Sequence, residues 1–330
     1  MYYSYGNSII LKQEAFIMGM KTIEINYDAN TIMKNGYPKI KKLGACSPNG
    51  EMTPFVWNNR LMRMELCDPL NGTDSTIRRY AIIRDVETGK VISEFAENSY
   101  FHAAYVEDDT IYVTGVDMKD RGTINIYESK DLVNWEERVL LSNPGWVYYN
   151  TGLTKGPDGY VLLMEASDPI EHVGEKFTHF FATSPDMKTW TFMDYDLGYS
   201  KERYMGGPWL KYSEGWYYMI ACAELPCKHY TNYIYRTKDF KTWYVGYYNP
   251  MIMPDEEDRK ISPRAADLSP ELIEKITTTG FNINSSDVDM CDWNGKTYIN
   301  YLAGNQLGYY YMLEAEYDGT VAEFLKHYFE

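Results

Sequence analysis

Long apolar runs are absent from this chain. The longest uninterrupted one is the eight residues Trp216–Ala223, far short of the roughly 20 that a spanning helix requires. Cysteine is scarce and scattered: Cys46, Cys67, Cys222, Cys227 and Cys291, with no CxxC pair. That pattern supports neither a disulfide framework nor a structural zinc site, and it suits buried thiols in a reducing compartment. Positive charge is in deficit, 32 Lys+Arg against 47 Asp+Glu for a formal charge of −15. Such a surface repels phosphate backbones and anionic lipid, so neither nucleic acid nor membrane is an expected partner. No GxxxxGK[ST], GxGxxG, HExxH or GxSxG motif occurs, which removes the usual nucleotide, metalloprotease and serine-hydrolase signatures. The opening residues lack the basic-then-apolar pattern of a signal peptide, and a cytoplasmic location is the expectation.

Aromatic residues are abundant, with 32 Tyr and 8 Trp. They favour strands, and a hairpin unit built on them recurs five times. Each copy is a short apolar strand, a two-residue polar turn and a second apolar strand. The turns fall at Asn58-Asn59, Asp108-Asp109, Asp158-Gly159, Glu214-Gly215 and Asn294-Gly295. Pairs of the Asn-Gly and Asp-Gly type are the strongest short-range hairpin signal. Three copies carry a second shared piece downstream: Ser129-x-Asp131-x3-Trp135, Ser184-x-Asp186-x3-Trp190 and Thr237-x-Asp239-x3-Trp243. In each, the Asp can cap a turn through amides ahead of it, and the Trp can pack between sheets.

Five units of about four strands predict an all-β fold, a five-bladed β-propeller formed by residues 1–330 as a single domain. The spacing to the fifth unit is longer, and residues 249–280 read as an insertion. It contains a helix from Ser269 to Thr279, with Pro270 in its first turn and Gly280 past its end. Residues 1–44 are the N-terminal segment, in which Lys21–Asp28 is expected to close the ring as an added strand. The tail from Val321 reads as a helical turn or an outer strand.

In a propeller the first strand of each blade lines the channel, and the second runs back to the same mouth. Residues at these places therefore converge. First-strand starts supply Glu51, His102, Asn150 with Thr151, Glu202 with Arg203, and Asp287; second-strand ends supply Glu65, Glu165 and Glu224. Glu65 and Glu165 sit in matching contexts, Met64-Glu65 before Asp68-Pro69 and Met164-Glu165 before Asp168-Pro169. Several carboxyls with a His and an Arg at one mouth are what acid–base cleavage of a glycosidic bond uses: one carboxyl gives a proton, another activates water or attacks. Trp146, Tyr148, Tyr149, Tyr204 and Trp209 are candidates for a wall on which sugars stack.

The five blades with their [ST]-x-D-x3-W pieces resemble the five-bladed propeller glycoside hydrolases of families 43, 32 and 117. Tyr204-MGGPWLKYSEGWYYMIAC is similar to the family 43 stretch in which Glu-Gly-Pro opens a strand. The resemblance spans residues 45–318 in architecture. It implies a general-acid Glu where this chain has Gly206, a base Asp near Gly50 and Glu51, and a pKa-modulating Asp where His102 and Ala103 stand.

The expectation is thus a divergent propeller glycosidase, exo-acting on an oligosaccharide. Glu51 is its water-activating base, Glu165 its proton donor, and Asp287 holds the sugar or tunes a pKa. His102, Asn150, Glu202, Arg203, Glu65 and Trp209 are assigned to substrate binding. No cofactor and no metal at the site are expected, a structural calcium in the channel being the one ion considered. The competing reading is a carbohydrate-binding propeller that has lost its acid.

Overall fold

The computed structural model describes residues 23–24, 36–68, 78–278, 282–304 and 309–330. Four sheets of consecutive strands build blades one to four, and a fifth is completed from both ends of the chain. Blade one is β3 (Gly50–Trp57), β4 (Arg60–Cys67), β5 (Tyr80–Asp85) and β6 (Val91–Phe95). Blade two is β7 (Ser99–Glu107), β8 (Thr110–Asp117), β9 (Thr123–Ser129) and β10 (Glu136–Ser142). Blade three is β11 (Val147–Gly156), β12 (Gly159–Asp168), β13 (Thr178–Ser184) and β14 (Thr191–Phe192). Blade four is β15 (Met205–Ser213), β16 (Trp216–Leu225), β17 (His229–Thr237) and β18 (Trp243–Val245). Blade five is β19 (Asn284–Trp293), β20 (Lys296–Gly304) and β21 (Tyr310–Tyr317), with β2 (Ile40–Ser47) as its outer strand. The innermost strands touch in the order β3, β7, β11, β15, β19 and back to β3, a closed ring.

Closure differs from the sequence expectation. The strand that completes blade five is β2, whereas β1 (Ile23–Glu24) pairs in parallel with β18 of blade four. The remainder of the Lys21–Asp28 segment lies outside the described residues. The third hairpin turn also moves: the last pair is Gly156–Gly159, so Pro157-Asp158 forms the corner, one residue earlier than expected. The other four hairpins close around the expected pairs. Proline at the corner is the physical reason, because it presets the φ that a turn's first central residue needs.

The three [ST]-x-D-x3-W pieces form one repeated corner. Asp131 Oδ1 accepts from the amides of Val133 and Asn134 at 2.9 and 2.7 Å, and Asp186 and Asp239 repeat both bonds. These amides hold the Asp131 carboxyl well below its usual range. The Trp then reaches the preceding blade: Trp135 stacks on Phe95 at 3.6 Å, and Trp243 Nε1 donates to Leu197 O at 3.0 Å.

Among the described residues three α-helices accompany the sheets: α1 (Ile170–Val173), α2 (Pro270–Thr278) inside the 249–280 insertion, and α3 (Val321–His327). The tail is therefore helical, with Thr320 and Glu323 forming a reciprocal cap. The insertion clasps the seam where the ring closes. Ala45 N donates to Lys260 O, Ser262 N to Ala45 O and Ala266 N to Cys46 O, at 2.8–2.9 Å. Beneath this seam, between blades one and five, lies a buried ionic network of Arg63, Glu65, Arg84, Tyr298 and Glu314.

Cys46, Cys67, Cys222 and Cys291 are free thiols. Burial pushes Cys46 and Cys67 up to about 12. A thiol reagent at pH 8 is expected to leave Cys46, Cys67 and Cys222 unmodified until denaturant is added, because the thiolate is the reactive species. Rapid labelling of any of the three in the native protein would contradict their burial. No helix among the described residues is long and apolar enough to cross a membrane.

Candidate active site

One irregularity, repeated in all five innermost strands, makes the mouth. In each, the innermost strand carries one residue more than the strand beside it. The ladder skips between Gly50 and Met52, Tyr100 and Ala103, Tyr148 and Thr151, Gly206 and Trp209, and Ser286 and Asp289. Such bulges re-aim side chains at barrel rims and active sites. Aligning the skips makes Glu51, Phe101, Tyr149, Gly207 and Asp287 equivalent, and four of these have φ between 37° and 58°. Glycine accepts that conformation freely, whereas Glu51, Phe101 and Asp287 are strained there.

The same alignment pairs Asn150 of blade three with Glu165 on the adjacent strand. In blade two the corresponding positions hold His102 and Gly115. Asn150 Nδ2 donates to Glu165 Oε2 at 2.9 Å. Gly115 leaves space that the imidazole takes: a Cβ there would lie 2.6 Å from His102 Cδ2. Both His102 nitrogens are buried without a partner, and burial pushes the imidazole down to about 3, so it is neutral.

A pocket opens at these bulges, with Glu51, His102, Asn150, Gly207, Trp209, Asp287 and Asp289 among its lining. Two carboxyls that line it, Glu51 and Asp287, meet a third, Glu165, which is held against the lining residues Asn150 and Gly207. Glu165, 2% exposed, accepts at Oε2 from Asn150 and from the Gly207 amide at 2.9 Å. Asp287 closes on the same glycine, its Cγ standing 3.0 Å from where a Cβ of residue 207 would be, and it accepts from Ser286 Oγ at 2.5 Å. Glu51 enters from blade one with its Oε2 buried and unpartnered.

These environments set the proton affinities. Burial, reinforced by the charge of Asp287, raises Glu165 to about 8 despite its two hydrogen bonds. Burial also pushes Glu51 well above its usual range. Asp287, Glu165 and Asp68 add to that shift, and Arg121 opposes it. Asp287 itself is raised by burial, with the Ser286 hydroxyl working against it. Asp289, on the channel floor with hydrogen bonds to Thr53 and Trp209, is raised by burial to about 7. Crowded carboxyls in low dielectric cannot all ionise, so the cluster retains protons near neutrality.

Four residues expected at the mouth fall elsewhere. Glu65 lies in the seam network, 0% exposed, bonded to Arg63, Arg84, Ser47 and Asn49. Burial alone would raise it, but the guanidinium groups of Arg63 and Arg84 outweigh burial and hold it below the usual range. Its twin context with Glu165 is real in register, yet the neighbours differ: two arginines against an amide and a glycine. Glu202 and Arg203 precede β15, are exposed, and form no salt bridge with each other; blade four presents Gly207 and Pro208 to the mouth instead. Glu224 is likewise exposed and paired with Lys228 at 2.6 Å. Trp209 does reach the pocket, and it also lines the one next to it along the channel.

Two of the expected wall residues, Tyr149 and Tyr204, belong to a chain of rings that runs beside the bulges. Tyr100, Phe101, Tyr149, Phe177, Tyr204 and Tyr230 contact in sequence, with centroids 4.0 to 5.5 Å apart, across blades two to four. Arg121 covers Phe101 and Tyr149 at 5.2 and 4.3 Å, anchored on Tyr148 O at 2.6 Å. Trp146 and Tyr148, expected in this wall, are core instead. Sequence reasoning had no signal for Arg121, a loop residue after β8. Among the described residues no group of three or more His, Cys, Asp or Glu is arranged to hold a metal ion.

No protein-family model matches the chain, and no curated protein is significantly similar to it in sequence. Solved structures do share its fold. A thermostable family-43 glycoside hydrolase is 12% identical with a TM-score of 0.55, over 81% of this chain and 88% of that one. The Bacillus subtilis arabinanase Arb43A is 11% identical at 0.50, over 83% and 96%. A Bombyx mori family-32 β-fructofuranosidase is 12% identical at 0.51, over 84% and 61%. The class defined by topology is therefore the five-bladed propeller. The fold is that of the glycoside hydrolases of families 43 and 32, in a divergent form.

Proposed function

We propose that the protein is a glycoside hydrolase acting on an oligosaccharide, with Glu165 as proton donor. The observation that carries this reading is the meeting, around one pocket, of buried Glu165 with the half-buried Glu51 and Asp287, carboxyls from blades three, one and five. The propeller fold shared with glycosidases supports it. Glu165 holds its proton at neutral pH and so can protonate a leaving oxygen. Glu51 and Asp287 share the opposite task, activating water or holding the sugar, and titrate as a pair; the crowding that raises Glu51 comes partly from Asp287. The pair as a unit, rather than Glu51 alone, supplies the base. Asn150 fixes the Glu165 carboxyl, neutral His102 offers a hydrogen bond from the next blade, and Trp209 supports the sugar from below. Exo-action is part of the proposal; Thr53, Trp209 and Asp289 line both this pocket and the one next to it along the channel. The bare backbone at Gly206 favours a second reading, a glycan-binding propeller without turnover. A screen of aryl-glycosides and glycan fragments, with Glu165→Gln as control, decides between them: hydrolysis lost in the variant supports the enzyme, and binding without hydrolysis supports the second reading.

The pH dependence carries a sign that can be checked. The acid must be protonated, so kcat/KM should fall as pH rises through about 8. Asp287→Asn removes a negative neighbour that raises Glu165. The alkaline limb should then move to lower pH by about one unit, the scale of one close charge. A limb that stays in place, or moves upward, would show that the titrating acid is not beside Asp287.

A further inference from the structure

Gly206 and Gly207 form a strip of bare backbone on which three oxygen-bearing side chains converge. Glu165 and Asp287 reach Gly207, as described above. On Gly206 stands the phenol of Tyr204: a Cβ at 206 would collide with its hydroxyl and lie 2.7 Å from its Cζ. Residue 206 has no positive φ, so space around Tyr204, rather than backbone conformation, is what makes it glycine.

The phenol is clamped rather than free. Phe177 and Tyr230 meet its ring edge-on at 5.2 and 5.5 Å, which fixes the direction of the hydroxyl. Cys222, Glu165 and Asp287 all act on it electrostatically, and its place against Gly206 puts it one residue from the glycine that Glu165 and Asp287 reach. Burial, before these charges, keeps it protonated. It nevertheless makes no hydrogen bond to any described residue. A clamped donor standing on Gly206, next to the pocket-lining Gly207, is left to be satisfied by something that enters.

Resting on the glycosidase reading, we infer that Tyr204 is a substrate-positioning residue: its hydroxyl donates a hydrogen bond to one hydroxyl of a sugar bound in the pocket that Gly207 lines. The bond is neutral and charge-free at both ends, so it orients the sugar ring against Glu165 without taking part in proton transfer. It also selects against a sugar lacking that one hydroxyl, since the phenol would then stay unpaired.

The test is a cycle between protein and substrate. The probe is the aryl-glycoside that the wild-type protein cleaves fastest, together with its monodeoxy analogues. Tyr204→Phe keeps the ring and its clamp. It should lower kcat/KM on the parent glycoside by roughly 3- to 10-fold, the range for one neutral hydrogen bond, expressed mainly in KM. On one monodeoxy analogue the substitution should have no further effect. Gly206→Ala, which displaces the hydroxyl while leaving the tyrosine in place, should reproduce the loss if Tyr204→Phe folds poorly. Equal losses on every analogue, or no loss on any, would overturn the assignment. If the wild-type protein cleaves no glycoside, the enzyme reading fails separately. Calorimetry with the free monosaccharides then decides for Tyr204, whose Phe variant must bind more weakly than wild type.

Discussion

Glu165→Gln is expected to fold, to bind its glycan, and to turn it over about 10²- to 10⁴-fold more slowly, the usual range for losing a general acid. Glutamine retains the acceptor oxygen for Asn150 and Gly207, so the pocket keeps its shape. Aryl substrates with good leaving groups need no proton and should lose much less. Stability should change in the opposite direction. The folded carboxyl titrates at about 8, above the unfolded value of about 4.3. Between those values the native state binds the extra proton, and stability falls as pH rises through the window. Glutamine cannot ionise, so the variant should melt higher than wild type at pH 8 and equally at pH 4. Wild-type turnover on an unactivated glycan would place the acid elsewhere, with Asp289, raised to about 7, the next candidate in the pocket.

Glu65→Ala should be among the most destabilising single substitutions in the chain while leaving KM unchanged in whatever protein folds. The side chain is fully buried against two guanidinium groups, with Arg63 Nη2 at 2.9 Å and Arg84 Nε at 2.7 Å. Removing it leaves Arg63 with only the more distant Glu314, at 4.0 Å, and Arg84 with only the exposed Asp267, at 2.6 Å, a loss of about 3–5 kcal/mol. Its folded carboxyl lies below the ordinary range, so its contribution is present above the unfolded pKa and disappears as pH falls through the folded one. The difference in stability between wild type and variant should therefore shrink in acid. Chemical denaturation at pH 7 and pH 3 measures it. A variant as stable as wild type at pH 7 would mean that the seam is not held by this network.

Glu65 also marks where reading a sequence stops. Its context matches that of Glu165 almost residue for residue, and both end a second strand at the same register. What separates them is non-local: Arg84 arrives from β5 for one, Asn150 and the Gly207 amide for the other. Local pattern carries strand period and turn type, but not which charge stands across a sheet. The misplaced pair Glu202–Arg203 shows a second limit. Glu202 and Arg203 stand 12 and 11 residues before the Glu214-Gly215 turn, whereas Glu51, His102, Asn150 and Asp287 stand six to eight before theirs. The pair therefore falls ahead of β15, and the bulge that faces the mouth holds Gly207 and Pro208 instead. Such a bulge has no compositional mark when the residues at it are as different as Glu51-Met52, Phe101-His102 and Tyr149-Asn150.

The sequence by itself determined the five hairpins, the capped corners with their inter-blade tryptophans, the helical insertion before blade five and hence the propeller. All of these follow from contacts within some ten residues, which alternation and turn chemistry encode. It also singled out Glu51, Glu165 and Asp287, because repeat register alone brings strand starts and ends to one mouth. Only the tertiary structure decided that β2 closes the ring, that Glu65 is an ion-pair partner and that Tyr204 stands over Gly206. It also decided which carboxyls keep their protons. Those outcomes depend on burial and on charges brought together from distant parts of the chain, and the free energy of burying a charge belongs to the assembled pocket rather than to any segment of it.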